Sequence, residues 1–339
     1  MAEQGEYAYM ASVEAIKNAG LDEAYMLENE VGIIYGNDSS SKATVEASDI
    51  FRAKKDSMLI GSGSIFQLMN STVSMNLSTI FKLRGANMTI SSACASGSHS
   101  VGMAYLLISQ GLQDMVLAGG AQEINSFAFA SFDALSAFSI RESEPTKASR
   151  PFDKDRDGLI PSGGGASLII ESLESAQRRG AKILGELIGF GFSSNGEHIS
   201  QSNVSGPTRS IEMAIRSSGL SIKDIGYINA HATSTPNGDA NEAKSILNIF
   251  GQDCPPVSST KSMTGHECWM SGASAVVYSL LMMENDFIAP NINFESPDED
   301  TAGLPVAAKT INKKFNVFLS NSFGFGGTNS TLIVRKFLN

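Results

Sequence analysis

Cysteine is scarce in this chain: three among 339 residues, at 94, 254 and 268. Three thiols at those spacings form neither a disulfide framework nor a metal cluster, and they suit a reducing compartment. Basic residues are outnumbered, 25 against 35 acidic, so the formal net charge is −10 and nucleic acid is a poor partner. No apolar run reaches the length of a membrane span, and the first residues show no basic-then-apolar leader. A cytoplasmic protein is expected. Low-complexity segments and long polar linkers are missing too. What remains is 42 % hydrophobic and 18 % charged, enough to bury a large core. Glycine, at 32 against 10 prolines, points to many close backbone approaches.

Apolar runs of strand length alternate with amphipathic helical patterns, which predicts an α/β fold with mixed sheets covered by helices. Strands are expected at 31–35, 88–92, 114–118, 166–171, 183–192, 225–230, 256–259, 306–308, 317–322 and 330–334. Helices are expected at 8–19, 65–81, 98–111, 173–179, 208–218, 239–250 and 272–285. The chain reads as two similar halves sharing one core, 1–180 and 181–339, divided near Gly180 and Ala181. Each half runs strand, helix, strand, helix and then an antiparallel pair, as an internal duplication would.

Cys94 ends the run Thr89-Ile90-Ser91-Ser92-Ala93-Cys94-Ala95-Ser96-Gly97, with a helical pattern just after it. A thiol at a strand-to-helix turn, near a helix N-terminus, is expected to have a lowered pKa and to act as a nucleophile. A small buried hydrophobe is the other reading of that cysteine. Two of the four histidines share its setting. His231 follows Tyr227-Ile228-Asn229-Ala230, and His266 closes Lys261-Ser262-Met263-Thr264-Gly265-His266; each lies between a strand pattern and a helix pattern. Open α/β sheets gather reactive groups at such strand ends. A lone histidine there would be a structural residue; the trio points to chemistry.

Four ordered segments carry a family resemblance: the one ending Ser91-Ser92-Ala93-Cys94, His231 to Thr235, Lys261 to His266, and Asn321-Ser322-Phe323-Gly324-Phe325-Gly326-Gly327-Thr328-Asn329. Together they resemble the elongating β-ketoacyl-acyl carrier protein synthases, and the resemblance covers essentially the whole chain. It implies a thiolase-like αβαβα five-layered sandwich and an acyltransferase needing no cofactor or metal. The implied reaction moves an acyl group onto Cys94, then decarboxylates a malonyl group on acyl carrier protein and joins the two carbons. His231 and His266 would stabilise the enolate, and the amides of Cys94 and Phe325 would form the oxyanion hole. Two histidines, with no second cysteine between Phe323 and Asn329, favour decarboxylative elongation over thiolase chemistry. A non-catalytic or decayed partner subunit is the alternative.

The resemblance further implies that Lys261 is a buried cation beside the site, with Glu242 and Asp239 as its partners. Thr233, Thr235, Phe323 and Asp239 are expected at the substrate, although helix capping also accounts for Asp239 and an ordinary turn for the threonines. Arg52, Lys54 and Lys55 are expected on a loop near the tunnel mouth, docking an acidic acyl carrier protein; a solvated loop is the other reading. Phe127, Phe129, Phe132 and Phe138 would wall an acyl tunnel together with a twofold partner, so a homodimer is expected. The chain departs from the family pattern at Ala232, at Glu267-Cys268-Trp269-Met270 and at Ala275, where the family carries a glutamate that orders the catalytic loops. It also lacks the family's first strand, expected at the centre of the first sheet, which would leave an open slot there.

Overall fold

The computed structural model describes residues 1–338. Strands β1 (Gly32–Gly36), β2 (Asn87–Ile90), β3 (Met115–Gln122) and β4 (Gly164–Glu171) form the first sheet, in the order β2-β1-β3-β4. The second sheet holds β5 (Glu186–Ser194), β6 (Tyr227–Asn229), β7 (Val257–Ser258), β10 (Val317–Gly324) and β11 (Thr328–Arg335), in the order β5-β11-β10-β6-β7. Two short strands, β8 (Phe287–Ile288) and β9 (Ile311–Asn312), pair apart from both. β1, β3 and β6 are buried throughout and read as continuous apolar or small-residue runs, because helices cover both faces of each sheet.

No slot opens in the first sheet. β1 pairs directly with β3 from Gly32↔Val116 to Gly36↔Gly120, and with β2 on its other side. The two halves superpose in topology as β2-β1-β3-β4 on β7-β6-β10-β11. The strand that the second half has in addition, β5, lies on the edge beyond β11. The extra strand therefore belongs at an edge, and the expected cost of unpaired groups in mid-sheet does not arise.

The helices are α1 (Glu3–Asn18), α2 (Glu23–Glu28), α3 (Ser41–Lys54), α4 (Ser64–Leu68), α5 (Thr72–Phe81), α6 (Ser96–Ser109), α7 (Ser126–Ala134), α8 (Leu173–Arg178), α9 (Ser205–Ser218), α10 (Pro236–Phe250), α11 (Lys261–Thr264) and α12 (Ser271–Glu284). Of these, α1 and α5 cover the outer face of the first sheet; α9 covers that of the second, where α10 joins it by packing Ala243, Ile246 and Phe250 with Ile228, Val257 and Leu319. Between the sheets α6 and α12 pack on each other, and each touches both sheets. Five layers result. The crossing is close: a Cβ on Gly272 would lie 2.5 Å from Ser98 N, and one on Gly97 would lie 3.0 Å from Ala273 N. One core cluster runs through this middle layer, from Ile34, Val116 and Val101 to Phe190, Phe318 and Leu332.

Several elements differ from expectation. The helix expected over 65–81 breaks into α4 and α5 at Met69-Asn70-Ser71, where Met69 is extended at ψ 141°. Residues 306–308 make one bridge to β7 and no strand. The basic cluster lies on a helix end and not on a loop: Arg52 and Lys54 close α3, and Lys55 is its left-handed cap.

Candidate active site

The turn after β2 positions Cys94. Ser92 N donates to Ser96 Oγ at 2.8 Å, Ser96 Oγ donates to Ala93 O at 2.6 Å, and Ala93 N donates to Asp38 Oδ2 at 2.8 Å. These bonds hold Ala93 at φ 47°, a left-handed conformation costing a non-glycine residue roughly 1–2 kcal/mol. Cys94 sits on that elbow, two residues before α6 begins.

His266 reaches the sulfur: its Nε2 lies 3.1 Å from Cys94 Sγ. The ring is buried, and its backbone N–H donates to Ile160 O at 2.7 Å. The His231 ring stands 5.4 Å from that of His266, centroid to centroid, at 87°. Glu242 fixes the His231 segment by accepting from His231 N at 2.9 Å, Ala232 N at 2.7 Å and Asn321 Nδ2 at 3.0 Å. The methyl of Ala232, where glycine was the expected pattern, is buried without a positive φ.

The loop after β10 closes the site. A Cβ on Gly324 would lie 2.8 Å from Ser92 O and 3.1 Å from Cys94 N, and Gly326 and Gly327 have φ of 77° and 72°. Only glycine meets both demands, so the main chain can approach the thiol. The backbone N–H groups of Cys94 and Phe325 bear on the sulfur and favour its thiolate. A cavity of about 390 Å³ joins Cys94, His231 and His266, with Thr233, Thr235, Glu242, Phe323 and Phe325 in its wall.

The electrostatics differ from expectation at the thiol. Burial pushes Cys94 up to about 12, although Lys261 and the two backbone donors pull it down. The helix N-terminus does not outweigh the loss of water, so the resting group is a thiol. Burial, then the Lys261 charge, lowers His266 to about 3 and takes His231 well below its ordinary value. Both rings are neutral at pH 7. Their Nδ1 atoms are buried and have no hydrogen-bond partner among the described residues, so the group that bears on the His266 tautomer is the Cys94 thiol at Nε2.

Some expected site residues lie elsewhere. Asp239 is fully buried and absent from the cavity wall; it accepts from Phe152 N at 2.8 Å and Thr233 N at 3.0 Å, and Arg156 Nε lies 3.9 Å away. It braces the turn before α10 and does not touch substrate space. Lys261 is buried and also absent from the wall. Neither Glu242 nor Asp239 pairs with it directly, because no carboxylate oxygen lies within 4.0 Å of its Nζ among the described residues. Arg52, Lys54 and Lys55 are exposed and outside the cavity, and Arg52 pairs with Asp49 at 3.3 Å. Among the expected tunnel aromatics, Phe132 lines the cavity and stacks on Phe138 and Phe325, whereas Phe127 is exposed.

Sequence reasoning missed Asp38 and gave no role to Asn321 or Glu267; it also missed the segment at 195–203, which supplies Asn195 and Ile199 to the cavity wall. Gly326 N donates to Ile199 O at 2.6 Å, so that segment also steadies the glycine loop. Residues 193–205 are polar and without periodicity, and they gave no signal. Among the described residues no group of three or more His, Cys, Asp or Glu side chains is arranged to hold a metal ion.

Residues 1–176 match the model of the β-ketoacyl synthase N-terminal domain, and residues 184–295 that of its C-terminal domain. The chain belongs to the β-ketoacyl synthase family. It is 42 % identical over 340 residues to the 3-oxoacyl-[acyl-carrier-protein] synthase 1 of Haemophilus influenzae, spanning 99 % of this chain and 83 % of that protein. The synthase 1 of Escherichia coli strain K12 is 41 % identical over 339 residues, with the same coverage. The ishigamide ketosynthase/chain length factor superposes with a TM-score of 0.92 at 31 % identity, over 100 % of this chain and 83 % of that one. A ketosynthase solved in complex with a type II PKS acyl-carrier protein and bound to the hexaketide gives 0.90 at 28 % identity, over 99 % and 85 %. This β-ketoacyl synthase is thus an acyltransferase with the thiolase-like fold.

Proposed function

We propose that Cys94, His231 and His266 carry out the decarboxylative Claisen condensation of this family member, extending an acyl chain with a malonyl unit on acyl carrier protein. The observation that carries the residue assignment is the 3.1 Å approach of His266 Nε2 to Cys94 Sγ inside a cavity that also holds His231. As Sγ attacks the acyl thioester, its proton passes to His266, and the developing oxyanion lies between the amides of Cys94 and Phe325. The carrier thiolate leaves and takes that proton, so both histidines are neutral again.

Malonyl thioester then enters. Its carbon–carboxylate bond breaks, CO₂ departs, and the electron pair moves to the thioester oxygen, where N–H groups of His231 and His266 stabilise it. Neutral imidazoles suit this role, since an imidazolium would bury a positive charge next to Lys261. The enolate carbon attacks the acyl carbonyl, the C–S bond to Cys94 breaks with its electron pair going to sulfur, and the thiolate takes from solvent the one proton that the overall reaction consumes. Thr233 and Thr235, whose hydroxyls lie 3.1 Å apart in the wall, suit the polar arm of the carrier. Fatty-acid or polyketide chain elongation both fit this chemistry. All of Cys94, His231, His266 and Lys261 are present, which speaks against a decayed partner subunit.

The chain is read as a cytoplasmic homodimer of two-halved protomers, 1–180 and 181–339. No helix among the described residues is long and apolar enough to cross a membrane. For the dimer, support comes from the edge strand β2, exposed at Asn87 and Met88, and from the exposed Met58, Leu59, Ile65 and Phe66. A single species of one chain's mass in sedimentation would overturn it. The condensation is tested by giving the protein labelled acyl-carrier protein and then malonyl-carrier protein. Label on the Cys94 peptide followed by labelled β-ketoacyl product is expected, with neither in C94S. Label that stays on Cys94 without product sinks the assignment.

A further inference from the structure

Lys261 presents an electrostatic problem. A buried ammonium without a counter-charge costs several kcal/mol, yet no carboxylate oxygen touches it within 4.0 Å among the described residues. Four acidic groups act on it: Glu267 most strongly, then Glu242, Cys94 as thiolate, and Asp239. Asp239 already has a cation beside it, and Glu242, whose donors are neutral, is tied to the His231 turn. Glu242 accepts from two backbone N–H groups and Asn321, and Asp239 from two backbone N–H groups beside Arg156. Glu267 differs. It is only 4 % exposed, and its two oxygens accept only from neutral hydroxyls of α12, Ser274 Oγ at 2.6 Å and Tyr278 Oη at 2.7 Å. No cation neutralises it, so its charge, like that of Glu242, remains available to Lys261, and it acts on the ammonium more strongly than Glu242 does.

Its place in the chain adds a second role. Glu267 directly follows His266, and Cys268 after it is held at φ 44°, a left-handed conformation that persists only where its surroundings enforce it. The two hydroxyls tie this segment to α12. Ala275, one residue beyond Ser274, offers no carboxylate from the helix itself. We propose that Glu267 is the counter-charge of Lys261 and the positioning residue that holds the His266 segment against α12. The inference rests on the reading of Cys94 as the nucleophile of the condensation. Glu267 keeps Lys261 protonated, and the ammonium in turn favours the Cys94 thiolate. The charged and titratable groups around the pair are Glu242, Asp239, Cys94, Cys268 and Tyr278, with His231 and His266 facing Lys261.

The test is alkylation of Cys94 by iodoacetamide as a function of pH, read on the Cys94 peptide by mass spectrometry. In E267Q, which keeps the side-chain shape, the profile is expected to move upward by about one pH unit, which slows alkylation about tenfold at a fixed pH below the midpoint. K261M should shift it at least as far, and E267Q added to K261M should bring no further loss. An E267Q profile that is unchanged or moves downward overturns the proposal, as do losses that multiply in the double variant. If E267Q does not fold, Y278F is read in the same way. Removing that hydroxyl makes Glu267 easier to protonate, so a smaller upward shift is expected and an unchanged profile refutes the pairing. Alkylation needs no turnover. A shifted profile in an enzyme that makes no β-ketoacyl product would sink the proposed function and leave the pair standing.

Discussion

His99 isolates the effect of burial on one titratable side chain. It lies on α6, edge-on to Phe190 at 5.9 Å, and burial alone lowers its pKa to about 4. In the unfolded chain it binds a proton near pH 6.5, so between about 6.5 and 4 the unfolded state holds more protons than the folded one. The stability this neutral ring contributes is complete above 6.5 and is lost as the pH falls through 4. H99Q should flatten the acid side of the stability profile, by at most about 1.4 kcal/mol per pH unit in that window. Urea midpoints from pH 7 to 4.5 measure it; parallel profiles for variant and wild type would refute it. Asp239, Glu242 and Glu267 carry raised values and act with the opposite sign, so the comparison is between variants and not of absolute slopes. Of the residues proposed to react, Cys94, His231 and His266 were legible because each lies between a strand pattern and a helix pattern and sits among small residues. The thiol's pKa was not, since helix position is visible in a sequence and burial is not. Glu267 read only as part of a departure from the family pattern after His266, because its partners Ser274 and Tyr278 become neighbours only once the turn at Cys268 is made.

The elements themselves were legible where periodicity was strong. β1, β3, β10 and β11 and the helices α6, α9 and α10 lie close to their expected places. α3 went unseen because it buries only Ala47. Strand order was also out of reach, since alternation within a strand says nothing of its neighbour; the supposed gap beside β1 came from that limit. The α6–α12 crossing is the most constrained junction. Gly272→Ala places a methyl 2.5 Å from the Ser98 backbone nitrogen, which a rigid helix cannot yield. Overpacking of this kind typically costs about 1–3 kcal/mol. Thermal melts should show a lowered midpoint and, because both helices begin beside the proposed catalytic residues, a fall in kcat larger than any change in KM. A variant with the wild-type melting point would show that the crossing has slack.

At the scale of the whole molecule, a protein of net charge −10 presents Arg52, Lys54 and Lys55 together at the exposed end of α3. Helix α3 packs on α7, whose Phe132 lines the cavity, so the patch and the site share one structural unit. Reversing all three charges to glutamate should raise KM for carrier-bound substrate several-fold. The effect should weaken as salt is added, while a small-molecule thioester is turned over as before. Equal losses with both substrates would remove the docking role.

Because α6 and α12 each lean on both sheets, neither half owns its inner wall. Pulling the halves apart would strip the facing sides of the two central helices and scatter Cys94 from His266 in the same motion. Melting and inactivation should accordingly be one cooperative event, with no surviving half-molecule in which the reactive pair is still assembled.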